Sequence, residues 1–361
     1  MKQKRGLIFF GALIFALTAT LGGFWLLRGR GSSDSPARQA AQPGIAYLSP
    51  VAGSEVWLQE LDGSPPRQLT HTGGRVTELE ALKGGDWLAA VVANDQGGSD
   101  LFLAFWDGSR VKSLVECGAD LCAGPSASAD GRWLAFTRHA PGANFPTPWL
   151  IDLATGAAQP LENDTLIGAQ SFSWSPDSQH LAFYDPASGG VRVRDMDSGS
   201  ERVLQTNMPL AGSWSADNRL LTVNIEEAAA GFASMKVYLF DTAAGTQQLL
   251  LGSAPDDASD YGAPQWSPDG QWLAYSRRAL TGNPAKQIWI IRPDGSGARA
   301  VTDNLSQAHG GYRWSPDSAK LVFQRLALGS SGNLPAVVVW DLASGEFQTI
   351  AEDAASPVWL P

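Results

Sequence analysis

Cysteine is nearly missing: the 361 residues hold two, Cys117 and Cys122. That excludes a cysteine-rich scaffold stapled by several bridges. Histidine is also scarce, with four residues at His71, His139, His180 and His309. No two of them have ligand spacing and no Cys/His cluster exists, so no metal site is expected. The sequence has no phosphate loop, dinucleotide fingerprint, Gly-x-Ser-x-Gly elbow or catalytic triad, so no cofactor and no catalytic residue is expected. Clustered base is lacking over most of the chain. Five of its 26 bases and none of its 36 acids fall in the first thirty residues, which leaves 21 against 36 for the rest, a net of −15. A domain that acidic is poorly suited to a phosphate backbone, and no nucleic-acid partner is expected.

Long charge-free runs are rare too, and the exception is informative. Met1–Arg5 is basic, and Gly6–Leu27 then carries no charge over 22 residues. As a helix such a run spans about 33 Å, enough to cross the hydrocarbon core. Lys2, Lys4 and Arg5 precede it, which puts the N-terminus in the cytoplasm and the remainder outside. The competing reading is a cleaved signal peptide, with the mature chain secreted or periplasmic. No Ala-x-Ala site follows the core, and Phe24, Trp25, Leu26 and Leu27 stay apolar, which favours an uncleaved anchor. The expected divisions are a cytoplasmic tail at 1–5, a transmembrane helix at 6–27, a flexible linker at 28–43 and a globular domain at 44–361.

What the sequence has in abundance is turn residues, 39 Gly and 22 Pro. The clearest turn lies in Trp266–Tyr275, where Ser-Pro-Asp-Gly joins two apolar runs. Proline presets φ, aspartate bonds its own backbone and glycine accepts positive φ, so the segment reads as a hairpin. The same pattern returns at Trp174–Phe183, Trp214–Val223 and Trp314–Phe323, with worn copies at Ala81–Ala90 and Ala127–Phe136. A steady period of this length marks a repeat architecture. Each repeat has four short apolar runs, A to D, with A–B turning at the Ser-Pro-Asp motif and C–D at an Asp/Gly turn. The domain opens at Gly44 with a B run that has no A run before it. It ends at Pro357–Pro361 with an A run that has no B run after it. The two halves complete one repeat, which closes a radial array and removes its raw edges. The predicted fold is all-β, a seven-bladed β-propeller, with six or eight blades as alternatives. Thirteen of the 14 tryptophans fall in A, B or C runs, as core packing between stacked sheets requires.

These repeats resemble the TolB-type, WD-repeat-like β-propeller family, whose repeat carries Trp-Ser-Pro-Asp-Gly before an apolar run. The resemblance runs from Gly44 to Pro361. It implies an extracytoplasmic binding or scaffolding component of a bacterial envelope. TolB proper has a separate N-terminal domain and a cleaved signal peptide, so its role with Pal is not carried over. Prolyl-oligopeptidase-type enzymes use such propellers ahead of a hydrolase domain, of which this sequence shows no elbow.

Alternating strands place A–B and C–D turns on one face and the longer B–C and D–A connections on the other. Variable loops on a rigid frame are where binding usually lies. The expected binding residues are Asp260, Tyr261, His309 and Tyr312, with Asp256 and Asp257 beside them. Replacing Tyr261, His309 and Tyr312 is expected to weaken partner capture and to spare stability. The expected partner is a protein or small envelope ligand on the long-loop face. The competing readings are a hydrolase or lyase at the channel mouth and a sensor or accessory subunit of a membrane complex. Cys117 and Cys122 bracket four residues in a D–A connection, and as the only thiols of a domain placed outside they are expected to form a disulfide.

Overall fold

The structure, a computed structural model, describes residues 44–82, 86–161, 171–227, 233–252, 259–282, 285–329 and 332–360. The expected anchor Gly6–Leu27, its linker, and Asp256 and Asp257 lie outside them. Among the described residues there is no α-helix, and none long and apolar enough to cross a membrane.

The described strands fall into four-stranded antiparallel groups, each in the order A-B-C-D. The first group joins the two chain ends. Its A strand is Ala355–Trp359, which pairs with the B strand Gly44–Ser49, followed by Glu55–Glu60 and Arg67–Gln68. Leu360 also donates its N–H to the Gly44 carbonyl at 2.9 Å. The second and third groups are joined into one sheet by a single parallel bridge, Ser99 to Leu121.

Alternation along the B strands explains the packing. Neighbouring residues point to opposite faces of a strand, so each B strand feeds two interfaces. Leu88 packs toward the first sheet and Ala89 toward the third. Leu134 and Ala135, Leu181 and Ala182, Leu220 and Leu221, Leu273 and Ala274 divide in the same way. The last interface joins Val322, Val337 and Val339 to Ile45, Tyr47 and Trp359, so the final sheet packs on the first. The A strands touch in the same cyclic order, each meeting the next and the last meeting Val76–Ala81 of the second group. D strands lie outermost, and strands such as Val111–Val115 and Ala158–Pro160 are largely exposed.

The Ser-Pro-Asp turns are closed by their own side chains. Ser315 Oγ donates to Asp317 Oδ1 at 2.5 Å and accepts from the Lys320 N–H at 2.9 Å. Ser128, Ser175 and Ser267 repeat both bonds with Asp130, Asp177 and Asp269. The turns also grip one another. The Asp269 N–H donates to Ser318 Oγ of the next turn at 3.0 Å, and the Asp130 N–H does the same to Ser178. Ser178 and Ser318 sit at φ 61° and 62°, the turn position that glycine takes at Gly270.

Two outcomes follow from these bonds. Deleting Ala355–Pro361 strips the A strand from the first sheet and exposes Ile45, Ala46 and Val339, so denaturant melts are expected to show a large fall in midpoint. Removing the Ser315 hydroxyl leaves the Lys320 N–H and the Asp317 carboxylate short of a partner. Ser315→Ala is expected to cost about 1–3 kcal/mol in chemical denaturation. The Ser315 hydrogen bond holds the Asp317 carboxyl below its ordinary value. A depressed carboxylate stabilises the fold above its unfolded pKa, and the contribution is lost as pH falls through the folded one. Acid unfolding, followed by tryptophan fluorescence, is therefore expected to begin at higher pH in Ser315→Ala.

Candidate functional site

The turn face carries the repeated Ser–Asp closures, which engage the hydroxyls and carboxylates of the repeated motif. The long-loop face is built differently, and its best-defined feature surrounds the two cysteines. Cys117 and Cys122 are joined by a disulfide. The loop they close rests on the B–C turn of the second group. Asn94 Nδ2 donates to the Gly118 carbonyl at 2.7 Å, the Cys117 N–H donates to Asp100 Oδ1 at 2.7 Å, and Ser99 Oγ donates to the Cys122 carbonyl at 2.6 Å. Gly98 makes the approach possible, since a Cβ there would lie 2.3 Å from the carbonyl oxygens of Gly118 and Asp120.

The bridged loop presents Asp120, which pairs with Arg138 Nε at 2.5 Å. The Arg138 guanidinium lies over the Trp149 ring, 5.1 Å from its centroid. Trp149 Nε1 donates to Thr147 Oγ1 at 3.1 Å, and that hydroxyl donates to the Arg138 carbonyl at 3.0 Å. Every group in this wall is therefore held by the next. Beside it opens a cleft of about 610 Å³, bounded across by Asn144 and Phe145 of the loop between Arg138 and Thr147. Phe145 is 45% exposed, an aromatic ring left in solvent at the cleft edge. Charge, amide and aromatic surface thus meet in one concavity, the composition of a recognition site. Residues 138–147 are one of the long B–C connections expected from the sequence, although none of them is among the binding residues expected there. The available signal was Arg138 at the end of a B run, diagonal across the hairpin from the tryptophan of the C run.

The residues expected to bind lie elsewhere and are packed. Asp260 is buried, accepts the Met235 N–H at 3.0 Å and pairs with Arg278. Tyr261 is in the core between the fifth and sixth groups, with its ring 5.8 Å from that of Tyr275. Tyr312 lies in the next core, between the sixth and seventh, and is 2% exposed. Its hydroxyl donates to the Ala263 carbonyl at 2.5 Å and reaches the Gly262 carbonyl at 3.2 Å, and burial drives the phenol pKa far upward. His309 packs edge-on against Phe323 at 5.7 Å. Its burial and the nearby Arg325 charge push its pKa down to about 4, so it is neutral at pH 7. The expectation that Tyr261, His309 and Tyr312 can be replaced without loss of stability is corrected here. They are interior residues of strands Ser259–Trp266 and Gln307–Trp314.

A second cavity, of about 390 Å³, opens on the turn face, where A strands of the first, second, sixth and seventh groups converge. Glu80, Gln265 and Arg313 reach it among Trp314, Pro316 and Trp359. With its amide oriented to satisfy both ends, Gln265 donates to the Tyr312 carbonyl at 2.7 Å and accepts from Arg313 Nη1 at 2.5 Å. Among the described residues no group of three His, Cys, Asp or Glu is placed to hold a metal ion.

No protein-family model matches the chain. An uncharacterised protein of Agrobacterium fabrum is 29% identical over 217 residues, 56% of this chain and 66% of its own length. Solved structures resemble it in fold. Oligogalacturonate lyase from Vibrio parahaemolyticus superposes with a TM-score of 0.60 at 15% identity, over 86% of this chain and 87% of its own. The β-propeller domain of the Trilobed protease from Pyrococcus furiosus gives 0.57 at 16%, over 77% and 85%. TolB from Acinetobacter baumannii gives 0.53 at 15%, over 85% and 78%. The fold is that of the TolB-type β-propellers, and likeness at this identity speaks for the fold alone.

Tyr312→Phe removes only the hydroxyl that spans two sheets and leaves the Ala263 carbonyl unpaired. It is expected to cost about 1–3 kcal/mol in denaturant melts. A midpoint equal to the parent's would mean that the phenol bond carries no stability.

Proposed function

We propose that this chain is a membrane-anchored, extracytoplasmic, seven-bladed β-propeller that binds a protein partner or small envelope ligand through its long-loop face. In this reading residues 1–5 stay in the cytoplasm, 6–27 cross the membrane, 28–43 form the linker and 44–361 the propeller. The anchor rests on the charge-free run Gly6–Leu27 and the bases before it. The Cys117–Cys122 bridge suits an oxidising compartment. The cyclic order of A-strand contacts and the pairing of the C-terminal strand with Gly44–Ser49 support seven closed blades.

One observation carries the binding role: the cleft walled by Asp120, Arg138, Trp149 and Phe145, with its loop stapled in place. Asp120 and Arg138 neutralise each other there, an arrangement suited to recognition more than to proton transfer. A partner would bury the exposed Phe145 ring as an aromatic anchor and meet the ion pair at the rim.

Crosslinking from Phe145 in native membranes tests this directly. Phe145→Ser with Asn144→Ala is expected to weaken partner capture by about tenfold or more and to leave the thermal midpoint nearly unchanged. Full capture by that variant, with loss of capture on substituting Pro268 and Pro316 of the turn face, would assign the partner to the opposite side.

A further inference from the structure

A second concavity on the long-loop side is separate from the disulfide cleft. It lies between the sixth and seventh groups and measures about 220 Å³. One face of the seventh sheet supplies its floor. Phe323 and Val338 are direct cross-strand partners, and Phe347 stands beside them with its ring 6.3 Å from that of Phe323. His309 and Arg325, also paired across strands, form the rim above this floor. The facing rim comes from the connection after Thr302, with Asp303 and Asn304.

Two features mark the rim of this hollow as open to a ligand. Among the described residues Arg325 pairs with Glu352 at 3.3 Å, and that carboxylate is 70% exposed, so the pair is weak and open to exchange. Phe347 is 52% exposed although its ring belongs to the aromatic row His309–Phe323–Phe347. Apolar floor, cationic rim and anionic rim thus face one small volume.

We propose that this pocket binds a single α-amino acid with an apolar side chain. The guanidinium of Arg325 takes the carboxylate, beside the edge of the His309 ring. Asp303 takes the ammonium group, assisted by the Asn304 amide. The side chain lies on Phe323, Val338 and Phe347. A zwitterion is the ligand that meets both rim charges. A dianion or phosphate would face Asp303, and an uncharged apolar molecule would leave both charges unanswered. The volume is below that of a drug-sized site, which limits the occupant to one residue or its equivalent. This inference goes beyond the partner-binding role and uses none of the residues of the disulfide cleft.

Calorimetric titration of the full chain in detergent at pH 7 tests it with three matched probes. L-leucine carries both charges, 4-methylpentanoate lacks the ammonium and 3-methylbutylamine lacks the carboxylate. L-leucine is expected to bind at least about tenfold tighter than either of the others. Arg325→Gln is expected to abolish the binding of L-leucine, and Arg325→Lys to restore part of it by keeping the charge. Asp303→Asn, on the exposed rim, is expected to bring L-leucine down to the level of 4-methylpentanoate, and decides the matter should Arg325→Gln not fold. No heat with any of the three probes up to about 10 mM would overturn the proposal, as would unchanged L-leucine affinity in Arg325→Gln or equal affinity for all three. Partner capture is scored on the same protein. Capture retained without L-leucine binding sinks only this inference, and L-leucine binding retained without capture sinks only the other.

Discussion

The structure depends on how an edge strand is satisfied. Each A strand is bonded on one side to its B strand and has a second row of backbone groups facing the neighbouring group, where a buried carbonyl needs a donor. The indole supplies it. Trp174 Nε1 donates to the Ser126 carbonyl at 3.0 Å, Trp214 to Ser173 at 3.0 Å, Trp314 to Gln265 at 3.3 Å and Trp359 to Arg313 at 3.0 Å. In every case the acceptor is the residue before the equivalent position of the preceding A strand. The tryptophan is therefore more than a filler between sheets. It fixes the spacing of adjacent A strands, and the last of these bonds, from Trp359, is made by the strand that closes the array. Trp266 departs from the pattern, since its buried Nε1 has no partner among the described residues. Its ring still packs in the core between the fifth and sixth groups.

A second constraint lies at the other end of the A strands, and it explains what sequence reading misplaced. Several A strands carry one extra residue against B, between Ala123 and Ser126, between Gly262 and Gln265, and between Gly310 and Arg313. A bulge of this kind re-aims every side chain beyond it. It requires positive φ, met by Gly124 and Gly311 and, with strain, by Ala263 at 47° and Ser356 at 51°. Beyond the bulge the strand continues to Ser259 in one group and Gln307 in another. Pattern reading stopped the A runs at the bulge and assigned Asp260, Tyr261 and His309 to loops. In the structure the ladder goes on past it, and these residues are interior. Gly124-Pro125, Ala263-Pro264 and Ser356-Pro357 were the available signal, a small residue before proline in an otherwise apolar run.

Legibility therefore follows periodicity. The turn motifs, the half-repeats at the two ends and the alternation Leu-Ala along the B strands are local, and each could be read directly. The disulfide was legible because only two thiols exist to be paired. Of the candidate sites only His309 was legible, because they join residues from separate connections: Asp120 with Arg138 and Trp149 in one, Asp303 with His309 and Arg325 in the other. Their partners are set by cross-strand register and by the bulge, neither of which leaves a fixed spacing in the chain.

The two faces differ for the same reason. On the turn face each hydroxyl and carboxylate of the repeat is consumed in closing its own hairpin or gripping the next. Asp130 shows the balance: burial works against its charge, while the Ser128 hydroxyl and the Arg132 N–H outweigh it and hold the carboxyl below its ordinary value. Substitution there disturbs the frame, so the face is held to one solution in most repeats. The long-loop face has no such repeat to satisfy. A connection there can lengthen, take a disulfide, or leave Phe145 and Phe347 in solvent without breaking a bond that holds two groups together. Side chains can change on that side while the bonds between sheets stay intact, and it is there that charge and exposed aromatic surface meet in two separate hollows.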